Sequence, residues 1–587
     1  MPLLPSFGLR RDRTGPVIVD EVADGYEAFA LAALSAEIAP DGPIVFVARD
    51  GQRLAPIADA LAFVAPELPV LEFPAWDCLP YDRVSPGADA AARRISAMTD
   101  MVGLARRPHR AVILTTANAL LQRMPPAQTV EAQTFRARVG NQVDMKELIN
   151  RLETSGFDRV ATVREVGEFA VRGGILDLFI PGAVDPLRLD FFGDTLESIR
   201  AFDPATQRTT SQRKEIVLEA MSEVTLTPET ISRFRRSYIE AFGAPTRDDA
   251  LYAAISEGRR FAGMEHWLPL FYERLETLFD YLPGSPVVFD HLAREAISER
   301  DTVIQDYYRS RHQQAAGGLK DAVPYKPVRP EAMFMSPDDV AAALDGRISV
   351  ELTPFGAPEG TGARIVHAGS RPGRGFELER ADPSINVFQA AVDHIATLRN
   401  ARQKVVIAGW SDGSLDRLTQ IFAEHGLGNL ASVTKLADVE KLQPGQAGLT
   451  VLPLEHGFEA AGFAVVAEQD VLGDRLVRRS KKRRRASDFI AEASSLSAGD
   501  LVVHVQHGIG RFVGLKTIEA AGAPHDCLEI HYAGDDRLFL PVENIELLSR
   551  YGSDSAEVAL DKLGGGAWQA RKAKLKKRLL EMAGQLI

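Results

Sequence analysis

Cysteine is almost missing from this 587-residue chain, which has only Cys78 and Cys527. Two thiols so far apart in sequence support neither a disulfide framework nor a Cys-based metal site, and they fit a reducing cytoplasm. Long apolar runs are missing too. No stretch approaches the ~20 residues that a membrane span needs, and the N-terminal "MPLLPSFGLRRDRTG" has its arginines after its apolar residues, the wrong order for a secretory signal. A soluble cytoplasmic protein is expected. Positive charge is in deficit: the net charge of −12 excludes a chain that coats nucleic acid with its whole surface, while leaving room for local basic patches. The phosphate-binding pattern GxxxxGK[ST] occurs nowhere. Where it would stand, after the first strand, the chain reads "EVADGY", with one glycine and no lysine, so this part is not expected to hydrolyse ATP.

At ordinary domain sizes the length divides into about four domains. Residues 1–128 alternate apolar strands ("PVIVD", "GPIVFVARD", "RAVILTT") with Ala-rich helices, which implies a parallel sheet. From 129 to 217 the rhythm changes to consecutive strands, including "GILDLFIPG" and "LRLDFFGDTLESIRAFD", with Gly193-Asp194 as a hairpin turn. This reads as an inserted α+β module. Helices return over 218–355, and a small α/β block follows at 384–470. The run "RRSKKRRR" (478–485) lies in a basic linker at 471–493. A compact β module spans 494–556. The tail from 560 to 587 is an amphipathic helix whose basic side chains include Arg571, Lys572, Lys574 and Arg578. It lacks a stop signal, so the chain is expected to be part of something longer.

Three constellations invite chemistry. Gly409-Trp410-Ser411-Asp412-Gly413 has the G-x-S-x-G pattern of a hydrolase nucleophile, with Asp438 and His456 following in order. Ser411 fits a helix N-cap better, because the block is short for a hydrolase sheet and no oxyanion loop precedes it. His504, His507 and His525 suggest a metal, but strand alternation puts His504 and Gln506 on one face, away from His507, so no metal site is expected. The third is "EFAVRGGILDLFIPG" (168–182), where Arg172 stands before a double glycine at a strand mouth. Glycines let a partner approach the backbone closely, and a guanidinium suits a partner carboxylate.

These last residues, with "RLDFFGDTLESIRAFDPATQRT", resemble the UvrA-binding domain shared by UvrB and the transcription-repair coupling factors. "WDCLPYDRVSP" (76–86) and "LVVHVQHGIGRFVGL…YAGDDRLFLPVENIELLSRY" (501–551) resemble coupling factors as well, the latter their RNA polymerase-interacting domain. "LDKLGGGAW" (560–568) is similar to the start of a helix leading into a translocase. The resemblance implies an α/β multidomain fold. A UvrB-like parallel-sheet domain would carry an inserted UvrA-binding domain. A small α/β domain and a C-terminal Tudor/SH3-like (CarD-like) barrel with a helix would follow.

It also implies an adaptor that binds UvrA and the RNA polymerase β subunit, with no cofactor of its own. ATP, Mg²⁺ and DNA translocation would belong to domains after Ile587. Arg172 matches the family's UvrA-contacting arginine, with Arg159, Phe169 and Gly173 on the same surface. The family's C-terminal domain masks that surface, so exposed Arg172 is expected here. The strand Cys527–Ala533 matches the family's polymerase-binding edge, with Cys527, Leu528, Glu529 and Ile530 as contacts and Leu528 as apolar anchor. The rival readings are a serine hydrolase using Ser411 and a UvrB-like damage-binding helicase.

Overall fold

A computed structural model describes residues 3–10, 15–82, 84–181, 183–246, 249–316, 325–358, 362–382, 384–473, 499–504, 507–520, 523–534, 536–541, 548–550 and 560–562. The basic run 478–485 and the tail helix from 563 onward lie outside the described residues. The chain divides into two compact units, Met1–Arg475 and Leu476–Ile587. No helix among the described residues is long and apolar enough to cross a membrane.

The first unit is built on a seven-stranded parallel sheet. Its order is Arg364–His367, Gly15–Asp20, Ile348–Leu352, Val287–Phe289, Pro43–Ala48, Ala111–Thr116, Val70–Phe73. Every residue of Pro43–Ala48 and Ala111–Thr116 is buried, because helices cover both faces of a parallel sheet. The helix Glu27–Ile38 is apolar almost all round because it is covered on more than one side. Beyond it lies a six-stranded mixed sheet: Arg371–Pro372, Phe458–Ala460, Phe463–Ala467, Lys404–Gly409, Ala447–Val451, Leu430–Ser432. Tyr26, Phe29, Phe458 and Phe463 meet with ring centroids 5.1–5.7 Å apart, so the two sheets share one core. The strand Arg364–His367 is not among those read from the sequence. It is a four-residue edge strand without a buried residue, so no apolar pattern marks it.

Between Thr116 and Val287 the chain leaves this sheet. Residues 135–218 form a module with its own core around Leu148, Leu152, Phe169, Leu176, Leu189 and Leu196. Its main sheet runs Thr209–Arg213, Thr195–Phe202, Leu187–Phe192, Ile175–Leu178, Glu168–Arg172, Asp158–Arg159, antiparallel except for the last pair. A short antiparallel pair, Phe135–Arg138 with Glu215–Leu218, brings entry and exit side by side.

The exit is fixed by a buried ion pair. Arg94, on the helix Ala88–Arg106, and Glu223 are both essentially inaccessible, with Nε and Oε1 2.6 Å apart. Trp76 Nε1 donates to the same Glu223 oxygen at 2.7 Å, and the Arg94 guanidinium lies 4.4 Å from the Phe73 ring centre. The rest of "WDCLPYDRVSP" clamps the turn of helix Met264–Leu270. Ser85 donates to Glu265 at 2.6 Å, and His266 Nε2 lies 3.2 Å from the Val84 carbonyl oxygen. Burial pulls the His266 imidazole down to about 4, from an ordinary 6.5.

The second unit is a five-stranded antiparallel sheet in the order Arg537–Pro541, Ala523–His531, Gly508–Ala520, Leu501–His504, Leu548–Arg550. Val502, Phe512, Leu528, Ile530, Tyr532 and Leu540 form its core.

Two predictions follow from the buried charges. Arg94→Met leaves the Glu223 carboxylate buried without its cation and should cost about 3–5 kcal/mol of stability in chemical denaturation. Arg94→Met with Glu223→Gln should cost less, and a double variant no more stable than the single one would contradict this account. His266 is depressed in the folded state, so its contribution is complete above pH 6.5 and is lost as pH falls through about 4. Denaturation midpoints should drop over that window, and less steeply in His266→Asn.

Candidate docking surfaces

Arg172 ends the strand Glu168–Arg172 and faces solvent. The next strand begins at Ile175, its register partner, so Gly173-Gly174 is a two-residue hairpin turn. Gly173 has φ +62°, in the left-handed region that favours glycine. At Gly174 a Cβ would come within 2.8 Å of the Phe191 carbonyl oxygen, so only glycine lets the neighbouring strand approach. The Arg172 Nη2 donates to the Ala161 carbonyl at 2.6 Å and to the Thr162 hydroxyl at 2.9 Å. These bonds hold the guanidinium without neutralising it.

Two other arginines of the module are already neutralised. Arg188 makes a bidentate pair with Asp177 at 2.7 and 2.8 Å, and Arg200 binds Asp190 at 2.6 Å. Arg159 is exposed on the short strand beside Glu168–Arg172, but its register partner is Phe169, so it lies on the face opposite Arg172, with Glu153 3.9 Å away. Phe169 does not belong to this surface. Its ring is wholly buried in the module core, and strand alternation places it on the face opposite Arg172.

The second unit corrects four expectations. Cys527, Leu528 and Ile530 are buried, the last two as core residues, so none is an exposed anchor. Their strand is not an edge, since it pairs with Gly508–Ala520 on one side and Arg537–Pro541 on the other. Among the described residues the edge strands of this sheet are Arg537–Pro541 and Leu548–Arg550. Glu529 points away from the core, amid His531 at 2.9 Å and Lys516 and Arg537 at 3.8 Å each. The hydrogen bond from His531, helped by the two cations, holds its carboxyl below the usual range.

His504 and His507 are not kept apart. His504 pairs with Gly508, and the His504 and His507 rings stack at 4.6 Å. Burial, with His507 alongside, pulls His504 down to about 4. The side chain of His525 lies outside the described residues. Ser411 caps the helix Asp412–Glu424: Ser414 N–H donates to its Oγ at 3.2 Å and Ser411 N–H donates to Ser414 Oγ at 3.0 Å. Asp438 is taken up with Thr434 and Lys441, and His456 Nδ1 faces Asp470 at 3.4 Å. The three do not form a triad.

The crevice after the first strand explains the missing phosphate loop. At the N-terminus of helix Glu27–Ile38, Glu27 accepts from the Gly25 N–H at 2.8 Å and pairs with Arg53. Arg53 also reaches Asp24 at 2.9 Å and Asp290 at 2.6 Å. The donors that a phosphate would seek are occupied by carboxylates, and burial pushes Glu27 above the usual carboxyl range.

Residues 135–223 match the family model for the UvrB interaction domain, and residues 496–552 match the CarD-like/TRCF RID domain. Similar curated proteins bear the name transcription-repair-coupling factor. The one from Rickettsia bellii is 31% identical over 525 residues, covering 89% of this chain and 45% of that protein. The one from Myxococcus xanthus is 33% identical, covering 93% and 46%, and the one from Escherichia coli is 29% identical, covering 95% and 47%. Over about nine-tenths of its own length the chain is similar to these transcription-repair coupling factors. It spans a little under half the length of these relatives, corresponding to their N-terminal half.

The exposed ring of Phe192 escaped the sequence reading, although a signal was present. Two consecutive phenylalanines before a Gly-Asp turn cannot both face the core of a strand. Phe191 packs partly on the module core, while Phe192 is 77% exposed. Because Ser411 is a cap, Ser411→Ala should lower stability by about 1 kcal/mol. A fluorophosphonate probe should label neither form, and labelling that requires Ser411 would overturn the capping role.

Proposed function

We propose that this chain is the docking half of a transcription-coupled repair factor, holding RNA polymerase through its second unit and recruiting UvrA through the inserted module of its first. The observation that carries the reading is Arg172. It is an exposed guanidinium at a glycine hairpin tip, without a carboxylate partner among the described residues, inside the region that matches the UvrB interaction domain. A partner carboxylate there would gain a charge-assisted and geometrically selective bond. Gly173, with no side chain, leaves the approach open.

For the polymerase β subunit, the reading moves from the strand Cys527–Ala533 to the free edge Arg537–Pro541, in the region matching the CarD-like/TRCF RID domain. Strand addition needs unpaired main-chain groups, which an interior strand lacks. Glu529, with its three basic neighbours, would then flank the added strand and select for charge. ATP-driven translocation is assigned to the other half of the family's proteins.

Titration against purified UvrA and, in parallel, against the polymerase β subunit tests both halves. Wild type should bind both. Arg172→Glu reverses charge at an interfacial pair worth about 2–5 kcal/mol, a loss of about 30-fold or more for UvrA. Its polymerase binding should be unchanged. Equal UvrA binding by both forms would remove Arg172 from the interface, and wild-type failure on the β subunit would overturn the polymerase assignment.

A further inference from the structure

The module sheet gives Arg172 an apolar companion. Register places Arg172 opposite Ile175, Ile175 opposite Asp190, and Asp190 opposite Ser198, so these residues form one row across the solvent face. Two residues beyond Asp190 on the same strand, Phe192 stands on that same face. The Phe191 N–H donates to the Gly174 carbonyl at 2.8 Å, which brings the turn Gly173-Gly174 alongside Phe191 and Phe192. The two hairpin tips therefore lie side by side at one end of the sheet.

The glycine pair has a second effect at this position. With no side chain on Gly173 or Gly174, nothing from that turn covers the Phe192 ring, and 77% of the residue is exposed. Such exposure contributes nothing to folding, and the adjoining Phe191 already supplies the contact with the core. Of Arg172, Arg188 and Arg200 on this face, only Arg172 lacks a carboxylate among the described residues. An uncovered aromatic ring beside an uncompensated guanidinium is the composition of an interface centre, where aromatic residues and arginine carry most of the affinity.

We infer that Phe192 is the apolar anchor of the docking face to which Arg172 belongs, and that the partner presents a carboxylate beside an apolar recess that receives the ring. The inference rests on the UvrA reading above and specifies its chemistry. Ring burial would exclude water from the Arg172–carboxylate pair and strengthen it, so the two side chains act together.

The test uses the full chain and purified UvrA, with Phe192→Ala, Phe192→Leu, Phe192→Asp and Arg172→Glu. Thermal midpoints of the Phe192 variants should match wild type, because the ring has no packing role. Phe192→Ala should weaken binding tenfold or more, Phe192→Asp should abolish it, and Phe192→Leu should stay within about threefold. If Arg172→Glu loses binding while Phe192→Ala stays within twofold of wild type, the anchor is overturned and the UvrA reading stands. If Arg172→Glu also binds like wild type, that reading fails and the anchor with it. Light scattering of the free chain addresses a second copy as the occupant. Self-association that Phe192→Ala removes, with UvrA binding unaltered, would overturn the proposal.

Discussion

A single buried guanidinium organises the junction on which the docking module depends. Arg94 and Glu223 sit out of reach of water, and the pair is tolerable only because Trp76, the Pro74 carbonyl and the Phe73 ring share in solvating it. Arg94 belongs to a helix packed on the parallel sheet, and Glu223 to the segment by which the chain leaves the inserted module. An apolar contact at this place would tolerate sliding. A charge pair with directional hydrogen bonds does not, so the root of the module has one seating on the sheet. The strap "WDCLPYDRVSP" thus has a structural reason, as it lines this junction and closes over His266.

The same economy of charge runs through the rest of the first unit. Arg53 is surrounded by Asp24, Glu27 and Asp290 beside the N-terminus of the helix after the first strand, where a phosphate loop would stand, which makes the crevice part of the scaffold. On the module sheet, Arg188 and Arg200 are paired with aspartates on adjoining strands. Arg172, on the same face as these two, has no such partner among the described residues, and its place at a glycine turn makes it reachable.

Much of this was legible in the sequence. The apolar runs at 43–48 and 111–116 are what a doubly covered parallel strand requires, and the switch to consecutive strands after residue 129 announced the insertion. Arg172 stood out because a lone arginine before two glycines has few structural reasons to be there. Period-two alternation also carried information that went unused. It puts Phe169 and Arg172 on opposite faces, and it turns one of Phe191 and Phe192 outward. His504 and His507 went the other way, since alternation fails once a turn intervenes.

The sequence by itself determined the local elements, the turn chemistry and the absence of a phosphate loop, because these depend on neighbours within a few residues. It separated Leu528 and Ile530 from Glu529 as two faces of one strand. Only the tertiary structure decided which face was covered and whether that strand had a free edge. Both depend on pairing with Gly508–Ala520 and Arg537–Pro541, partners set by long-range hydrogen bonding and core closure. A strand's pattern is the same whether it has one neighbour or two, and for that reason the docking edge had to be read from the sheet.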